Sequence, residues 1–544
     1  MRIIATIEAD FHRSALGTRS RLADTVAGET ILARTVNQVA QAKRLSGVFV
    51  VGPHDQEKEL TSHIAGLPVA IRTHSVGDPG YRALVQSARK WSLESWRGGI
   101  GGACVLDEYL HTAVIASLAR QERADAVLVV PGPCPLIDPV WIDRLIEYYE
   151  SVAEETRLAF LQSPPGLTGI LYHTDLLMQM AEHGIPPGWT LSFKPDKPEP
   201  DVAQRKCACA SPQPLRHASG RLIADTHRAM RAIGDYLTTQ DYGGAEHVGH
   251  WLIQREATRT PPLPREVEIE LTTQSPLTGA SDIVLRPAIP ADRARGPIDV
   301  GMVARLAAEL SSEDDALVVL GGFGEPLLHP EFPQVLAALR EAGVYGVAVR
   351  TSGRAWSDAA IEALVQHKVD VVSVLVDAWT PERYRALHGE GLQTVLEGIE
   401  RLTQARQRAA QPVPFVNVEL LKCTHTLDEL EPFVDGWIRR QGCVTLSGYS
   451  TYAGALPDFR VMDMSPPVRT ACRQLRGRCT VLADGQVLAC DQDFLAARPV
   501  GSLHHSTLAA VWTGPAMEAL RTAHGSGRFD VDALCARCAE WHRP

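Results

Sequence analysis

Four cysteines near the end of the chain constrain its fold more than any other feature. Cys472 and Cys490 bracket a segment in which short runs of alternating apolar residues flank Asp484-Gly485, a dipeptide that accepts the positive φ of a tight hairpin turn. Cys535 and Cys538 are separated by two residues, which lets two thiolates meet at one metal ion or at one face of a cluster. Four soft ligands from two segments suit either an iron–sulfur cluster or zinc.

The segment over residues 466–544 resembles the SPASM and shorter twitch extensions of radical S-adenosylmethionine (radical SAM) enzymes, which hold auxiliary 4Fe-4S clusters. The resemblance implies a small cysteine-rich module that binds one 4Fe-4S cluster through Cys472, Cys490, Cys535 and Cys538. The alternatives are zinc at the same cysteines and thiols without a metal. A second auxiliary cluster is not expected, because only these cysteines fit the pattern. Cys479 lies at an inward strand position and is expected to be a small core residue.

Composition and charge exclude several classes of protein. The chain has 544 residues, 54 basic and 64 acidic, and a formal charge of −10, which gives no general attraction to nucleic acid or anionic membranes. The sequence shows neither a membrane-spanning apolar run nor a signal peptide, so we expect a cytoplasmic protein. Eleven cysteines are too few for a disulfide scaffold, which favours metal-binding or packing roles.

Residues 266–440 alternate short apolar runs with amphipathic helical patterns. Such β/α repetition predicts parallel strands with helical crossovers, and therefore an open or closed barrel whose ligand loops follow the carboxyl ends of the strands. We expect the partial (β/α) form. The predicted strands are Ala316–Leu320, Val347–Arg350, Val369–Val376 and Val416–Leu420.

The loop over residues 321–330, Gly-Gly-Phe-Gly-Glu-Pro-Leu-Leu-His-Pro, resembles the radical SAM segment in which a glycine-rich turn and a glutamate approach the methionyl amino group of the cofactor. Thr351-Ser352-Gly353 stands where that family usually has Thr-Asn-Gly. The resemblance therefore implies Gly322 and Glu325 as cofactor-binding residues, since glycine permits close backbone approach.

The start of the barrel departs from this family. Its members follow the first strand with three cysteines spaced three and two residues apart, and this chain has Ser275, Gly279 and Asp282 at those positions. The irons of a cluster need soft anionic ligands, which these three residues do not supply. We therefore expect no reductive cleavage of S-adenosylmethionine.

Residues 1–245 predict a doubly wound α/β domain. Buried parallel strands are expected at Arg2–Ile7, Val48–Val51 and Ala126–Val130, with an intervening helix over Glu29–Lys43. Residues 16–32 resemble the nucleotide-binding opening of cytidylyltransferase-like sugar nucleotidyltransferases, and later landmarks such as Val130–Pro139 and Arg221–Thr226 agree with that family in order.

This second resemblance implies a nucleotide or nucleotide-sugar ligand held by Gly17, Arg19 and Arg21. In the family two carboxylates hold magnesium, but here Pro133 replaces the first and only Asp225 is retained. One carboxylate is a weak magnesium site without several phosphate ligands. We therefore expect the domain to be degenerate and without nucleotide transfer. Two readings of Gly17, Arg19 and Arg21 stay open: retained binding of a nucleotide or nucleotide-sugar, or a turn glycine and solvated arginines of a folded relic.

Residues 246–265 contain Thr-Pro-Pro-Leu-Pro and are predicted to be a proline-rich linker. The expected chain is thus α/β throughout: a nucleotidyltransferase-like domain (1–245), a radical-SAM-like barrel (266–465) and a SPASM/twitch module (466–544). This plan resembles the architecture labelled spiro-SPASM.

The expected function is that of an iron–sulfur protein that acts as a binding or redox partner of an unknown protein or peptide, in peptide modification or glycan assembly by family analogy. The alternatives are a sugar nucleotidyltransferase, or an enzyme that uses Glu325, Asp377 and Asp282 at the barrel mouth for non-radical chemistry.

Overall fold

The computed structural model describes residues 1–197, 199–240, 242–277 and 281–543. The chain divides into two compact units, with the boundary between Glu256 and Ala257. Within the described ranges, none of the helices combines the length and the apolar character that a membrane span requires.

The first unit is an α/β domain. Its strands are β1 (Ile3–Glu8), β2 (Thr25–Val26), β3 (Glu29–Thr30), β4 (Val48–Pro53), β5 (Ala70–His74), β6 (Ala126–Pro131), β7 (Leu158–Leu161), β8 (Ile170–His173) and β9 (Ala208–Cys209). Its helices are α1 (Ile31–Ala40), α2 (Glu57–His63), α3 (Arg82–Arg89), α4 (Thr112–Gln121), α5 (Pro139–Val152), α6 (Thr174–His183), α7 (Pro187–Leu191), α8 (Gln213–His217), α9 (His227–Thr239) and α10 (Ala245–Thr258).

Seven of these strands form one sheet in the order β5-β4-β1-β6-β8-β7-β9, in which only β8 runs antiparallel to its neighbours. Alternate residues of β1 enter different cores: Ile3, Ala5 and Ile7 pack on one face and Ile4 on the other. Burial on both faces explains the continuous apolar runs in the sequence and confirms the doubly wound fold. The carboxyl ends of the parallel strands meet at one edge, where ligands bind in such sheets.

The linker prediction was wrong over its first half. Residues 246–258 belong to helix α10, and Val248 and Leu252 are buried in the core of the first unit. Apolar residues at 248, 251 and 252 have helical spacing, so one face of the segment is stabilised by packing. The proline-rich run, from Pro261, lies beyond this helix.

The second unit continues the α/β pattern. Its strands are β10 (Glu266–Glu270), β11 (Leu317–Gly321), β12 (Gly346–Thr351), β13 (Val371–Leu375), β14 (Phe415–Lys422), β15 (Val444–Gly448), β16 (Arg478–Val481), β17 (Gln486–Leu488) and β18 (Gly501–Ser502). Its helices are α11 (Val300–Leu310), α12 (Phe332–Glu341), α13 (Asp358–Gln366), α14 (Pro381–His388), α15 (Leu392–Arg408), α16 (Leu430–Gln441), α17 (Gln474–Gly477), α18 (Leu508–Trp512), α19 (Pro515–Gly525) and α20 (Ala533–Arg537).

One nine-stranded sheet, β15-β14-β13-β12-β11-β10-β16-β17-β18, runs through the second unit. Strands β10 to β15 are parallel and ordered along the sheet as in the sequence. The sheet is open: hydrogen bonds do not join β15 to β18, so the barrel is partial, as predicted.

The hairpin predicted around Gly485 is present as β16 and β17, with φ of +76° at the glycine. It is not a separate module, because β16 pairs in parallel with β10 and places Cys479 opposite Val267. Leu475 and Val481 are buried in the same core as the barrel strands. The predicted boundary between residues 465 and 466 therefore does not separate two compact bodies. Cys479 is 2% exposed, which confirms its core position.

Candidate functional site

Four cysteines line one cavity of about 330 Å³ in the second unit. Cys472 lies just before α17, Cys490 follows β17, and Cys535 and Cys538 lie on and directly after α20. The structure thus brings together from three segments the cysteines that the sequence predicts as ligands, and each of these residues is half-buried. Their assignment as cluster ligands stays a prediction, and the donor set fits an iron–sulfur cluster.

The cavity disfavours free thiolates. Burial, helped by neighbouring charges, raises the pKa of Cys535 to about 12 and that of Cys538 to about 11. Burial also raises the pKa values of Cys472 and Cys490, and the charge of Cys472 raises those of the other three. Four thiols in this arrangement ionise together only if a cationic group offsets their charge, which is what a bound metal centre supplies.

Three further contacts to protein groups surround these cysteines. The backbone N–H of Glu540 donates to Cys538 Sγ at 3.3 Å, and the backbone N–H of Cys472 donates to Nδ1 of His524 at 3.3 Å. Arg469 Nη2 donates to the carbonyl oxygen of Cys535 at 2.6 Å. His524 and Arg469 both line the cavity. Sequence reasoning missed them because they come from α19 and from an irregular segment, and no motif spacing links either to the cysteines.

Glu325, the predicted cofactor ligand of the barrel, is 2% exposed and already hydrogen-bonded. Its carboxylate accepts from Thr351 Oγ1 at 2.7 Å, from the backbone N–H of Ser352 at 2.8 Å and from that of Leu327 at 3.2 Å. Burial raises its pKa, although these bonds oppose the shift. The carboxylate therefore ties the loop after β11 to the loop after β12.

Gly322 occupies the left-handed region, with φ of +72°. A Cβ atom at this position would lie 2.9 Å from Cβ of Glu270, so the turn also needs glycine for its approach to β10. The backbone N–H of Gly322 donates to Oε1 of Glu268 at 3.2 Å. These internal contacts account for the glycine without a ligand.

The other carboxylates at the barrel mouth are paired with arginines. Glu270 accepts from Arg295 Nε at 2.6 Å and Nη2 at 2.8 Å, and Asp377 pairs with Arg286 and His388. Although burial opposes ionisation, Arg286 and His388 hold the pKa of Asp377 well below its usual range.

Two of the three positions that replace the family cysteines, Ser275 and Asp282, lie within the described residues. The hydroxyl of Ser275 accepts from the backbone N–H of Leu277 at 3.2 Å, and Asp282 is exposed. Gly279 lies outside the described residues. Glu325 and Asp377 of the alternative enzyme site each have the internal partners given above, and that alternative stays a prediction.

A second cavity, of about 370 Å³, lies at the carboxyl ends of β1, β4 and β5 in the first unit. Of the three predicted nucleotide-binding residues, Arg21 lines it, together with Pro133 and Asp225. Arg19 is not at the cavity and forms an ion pair with Asp24 at 2.5 Å.

Asp225 is fully buried and bound to a guanidinium. Arg221 donates from Nε to Asp225 Oδ1 at 2.7 Å and from Nη2 to Oδ2 at 2.5 Å, and Tyr109 donates to Oδ2 at 3.0 Å. Arg221 also donates to Glu108 at 2.8 Å, and Glu108 accepts from Arg89 at 2.7 Å. The carboxylate that the resemblance assigns to magnesium thus has an internal cation as its partner.

Family models match two segments of the second unit. Residues 283–433 match the Radical SAM superfamily, and residues 472–539 match SPASM, an iron-sulfur cluster-binding domain. These matches show a radical SAM domain and a SPASM domain, and they indicate iron–sulfur cluster binding and a function of the radical SAM family.

Among known proteins, an uncharacterized protein of Treponema pallidum (strain Nichols) is 26% identical over 313 residues, which cover 55% of this chain and 84% of that protein. Similar solved structures include BtrN in complex with AdoMet and 2-DOIA, which is 16% identical to this chain. The match covers 51% of this chain and 93% of that chain, with a TM-score of 0.35.

Two further solved structures are similar to parts of this chain. Streptococcus suis SuiB bound to precursor peptide SuiA has 12% identity over 52% of this chain and 73% of that chain, with a TM-score of 0.40. A cytidylyltransferase from Leptospira borgpetersenii serovar Hardjo-bovis (strain JB197) has 15% identity over 47% of this chain and 94% of that chain, with a TM-score of 0.31.

Proposed function

We propose that this chain is an iron–sulfur protein that holds one 4Fe-4S cluster and does not cleave S-adenosylmethionine. The observation that carries the proposal is the convergence on one cavity of Cys472, Cys490, Cys535 and Cys538. When bound, such a cluster supplies one-electron transfer and covalent cross-links between the segments that hold it.

The size of the cavity favours a cluster over zinc. Zinc–sulfur bonds are about 2.3 Å long, so four sulfur atoms around one zinc ion lie within about 4.6 Å of one another. Such an arrangement closes on the ion, whereas these cysteines line, together with other residues, a cavity of about 330 Å³ that has room for a larger group. In the described ranges, no three Cys, His, Asp or Glu side chains are placed to hold a single metal ion.

The absence of cleavage follows from the ligands at the barrel. The sequence has no cysteine between Cys209 and Cys423, so the loop after β10 offers no thiolate. Cys423 is fully buried, and its backbone N–H donates to Thr426 Oγ1 at 2.9 Å. The Radical SAM match begins at residue 283, just after the positions where the family has its cysteines.

The role that fits these features is a binding or electron-transfer partner of another protein or peptide. The segment that leads into Cys472 exposes four apolar side chains within eight residues: Val461, Met462, Met464 and Val468. Exposed apolar residues concentrated in this way are typical of surfaces that contact other proteins.

In the first unit we propose ligand binding without nucleotide transfer. The cavity at the strand ends is lined by Arg21, a side chain that suits an anionic ligand such as a nucleotide or nucleotide-sugar, while Arg82 beside it is paired with Glu8. Transfer would need a magnesium ion at Asp225, and Arg221 already occupies both oxygens of that carboxylate.

Metal analysis after anaerobic purification tests the cluster. We expect about four irons and about four sulfides per chain, with visible charge-transfer absorbance. Cys490→Ser and Cys535→Ser should lower the iron content, and Cys479→Ser, a core cysteine outside the cavity, serves as the matched control and should retain it. One equivalent of zinc, or iron lost only in the control, contradicts the assignment.

Incubation with S-adenosylmethionine and dithionite tests the second half of the proposal. We expect no 5′-deoxyadenosine above a control without protein, because no thiolate is present to bind the cleaving cluster. Several turnovers per chain would show that the barrel retains radical chemistry.

A further inference from the structure

Two buried nitrogen donors at the cysteine cavity have no hydrogen-bond partner in the described part of the chain. They are His524 Nε2 and Arg469 Nε. Both residues line the cavity, and His524 is only 3% exposed. Buried polar groups in folded proteins are nearly always hydrogen-bonded, so two orphaned donors beside four thiols point to an acceptor within the cavity.

The hydrogen bonds of His524 settle which of its nitrogens carries a proton. Nδ1 accepts the backbone N–H of Cys472 at 3.3 Å, so that nitrogen bears no hydrogen. In a neutral imidazole the other nitrogen is then the donor. Nε2–H is therefore a donor fixed beside a predicted cluster ligand.

The surroundings hold both donors in place. Phe529 packs edge-on against the His524 ring, with 5.4 Å between ring centroids, and the Arg469 guanidinium lies 4.7 Å over the same phenyl ring. Arg469 is further anchored by its Nη2 donation to the carbonyl of Cys535. Each side chain thus has one hydrogen bond to the backbone of a cysteine, and His524 Nε2 and Arg469 Nε are the donors without a partner in the described ranges.

We propose that His524 Nε2–H and Arg469 Nε–H donate hydrogen bonds to sulfur atoms of the bound cluster or of its cysteine ligands, and that these bonds raise its reduction potential. This inference rests on the proposed 4Fe-4S cluster. Donors to sulfur stabilise the more negative, reduced state more than the oxidised one, and such bonds are among the determinants of iron–sulfur potentials. His524 and Arg469 are positioning residues that act through the cluster.

Two substitutions of His524 separate the donor from the structural contact. In His524→Asn the side-chain oxygen takes the place of Nδ1 and still accepts from Cys472, but no donor reaches the position of Nε2. In His524→Gln the amide nitrogen takes the place of Nε2 and restores the donor. His505→Phe, on an exposed histidine elsewhere in the unit, is the matched control.

Reduction potentials of the full-length, cluster-loaded variants are measured by dye-mediated titration at one pH, with reduced cluster counted by electron paramagnetic resonance. We expect His524→Asn to lower the equilibrium constant for one-electron reduction about tenfold, which is about 59 mV. His524→Gln and His505→Phe should stay within about twofold of the wild type, and Arg469→Gln should also lower the constant.

Iron content distinguishes the possible failures. If His524→Asn retains full iron and the wild-type potential, the inference is refuted while the cluster stands. If the variant does not retain iron, electron–nuclear double resonance on the wild type decides. Exchangeable protons coupled to the reduced cluster, together with a weak coupling to a histidine nitrogen that is not a ligand, support donation. A histidine nitrogen with no coupling, or with a coupling typical of a directly bound nitrogen, overturns it. A wild type without iron refutes the proposed function and this inference with it.

Discussion

Replacing Arg221 with methionine removes the guanidinium that pairs with the buried Asp225 in the first unit. Arg221 is the only guanidinium bonded to the Asp225 carboxylate among the described contacts, and it also holds one oxygen of Glu108. Methionine fills a similar volume without charge. Asp225 then remains fully buried with only the Tyr109 hydroxyl, while Glu108 keeps Arg89.

The magnitude follows from the burial of the network. The side chains of Arg221 and Asp225 are 4% and 0% exposed, so water cannot take the place of the guanidinium beside the carboxylate. Breaking a buried pair by removing one partner costs about 3–5 kcal/mol, and we expect the upper end because two carboxylates lose a donor. In a unit of the size of Met1–Glu256, such a loss lowers the melting temperature by about 10–20 °C.

Differential scanning calorimetry of the full chain measures the effect. Arg19→Met is the matched control, because Arg19 is 63% exposed and its ion pair with Asp24 is worth about 0–1 kcal/mol. The loss of stability in Arg221→Met, relative to the wild type, should become larger from pH 5 to pH 8. Burial already raises the pKa of Asp225 while the charge of Arg221 opposes the shift, so removing the guanidinium raises this pKa further. A raised acid pKa gives stability at low pH that is lost as pH rises. Adding Asp225→Asn should restore part of the stability.

Melting temperatures measured with and without magnesium distinguish two roles of Arg221: neutralising the charge of Asp225, or only filling space. If the guanidinium stands where a divalent cation would bind, millimolar magnesium should raise the melting temperature of Arg221→Met and leave the wild type unchanged. A variant that melts within about 2 °C of the wild type, where about 10–20 °C is expected, would refute the energetic reasoning. Magnesium stabilisation of the wild type would refute the claim that Asp225 is already satisfied.

Two further perturbations test the cluster module and one buried acid. Cys535→Ser should speed amide hydrogen exchange over residues 528–543 and leave β16 protected, because β16 pairs with β10 inside the main sheet; exchange that spreads through β16 would show that the cluster supports the hairpin as well. Burial raises the pKa of Asp107 to about 6, so its contribution to stability is present below the ordinary aspartate pKa and declines as pH rises through about 6. Asp107→Asn should flatten that decline in urea unfolding measured from pH 4 to 7, and an unchanged slope would place the titration elsewhere.

Local patterns predict much of the fold and little of its long-range pairing. The hairpin at Gly485 follows from a turn dipeptide between alternating residues, and β1 follows from a continuous apolar run. The parallel pairing of β16 with β10 joins segments about 210 residues apart, and no local signal encodes such a partner. Because of that pairing, the hairpin of the predicted cysteine module belongs to the same sheet as the barrel strands.

The same limit applies to the candidate sites. The four cysteines are visible in the sequence because thiol spacing reports metal chemistry directly. His524 is not, because its role depends on a backbone N–H of Cys472 that only the folded chain brings to it. Asp225 is visible as a retained carboxylate, but its neutralisation by Arg221 depends on how the loop before α9 folds.

The distribution of charge indicates where this chain can bind a metal centre. At the carboxyl ends of strands in both units, buried carboxylates face internal guanidiniums, as in the pairs Asp225–Arg221, Asp377–Arg286 and Glu270–Arg295. Each pair cancels its charge in place, so a divalent cation would have to displace an arginine from a buried contact. The cysteine cavity has the opposite balance, because burial and mutual repulsion raise the pKa values of its four thiols, and a cationic centre would lower the free energy of all four thiolates together. The two strand edges and the cavity therefore differ in charge balance. The carboxylates at the edges are paired with arginines without a ligand, whereas the four thiolates of the cavity would be stabilised by a bound cationic centre.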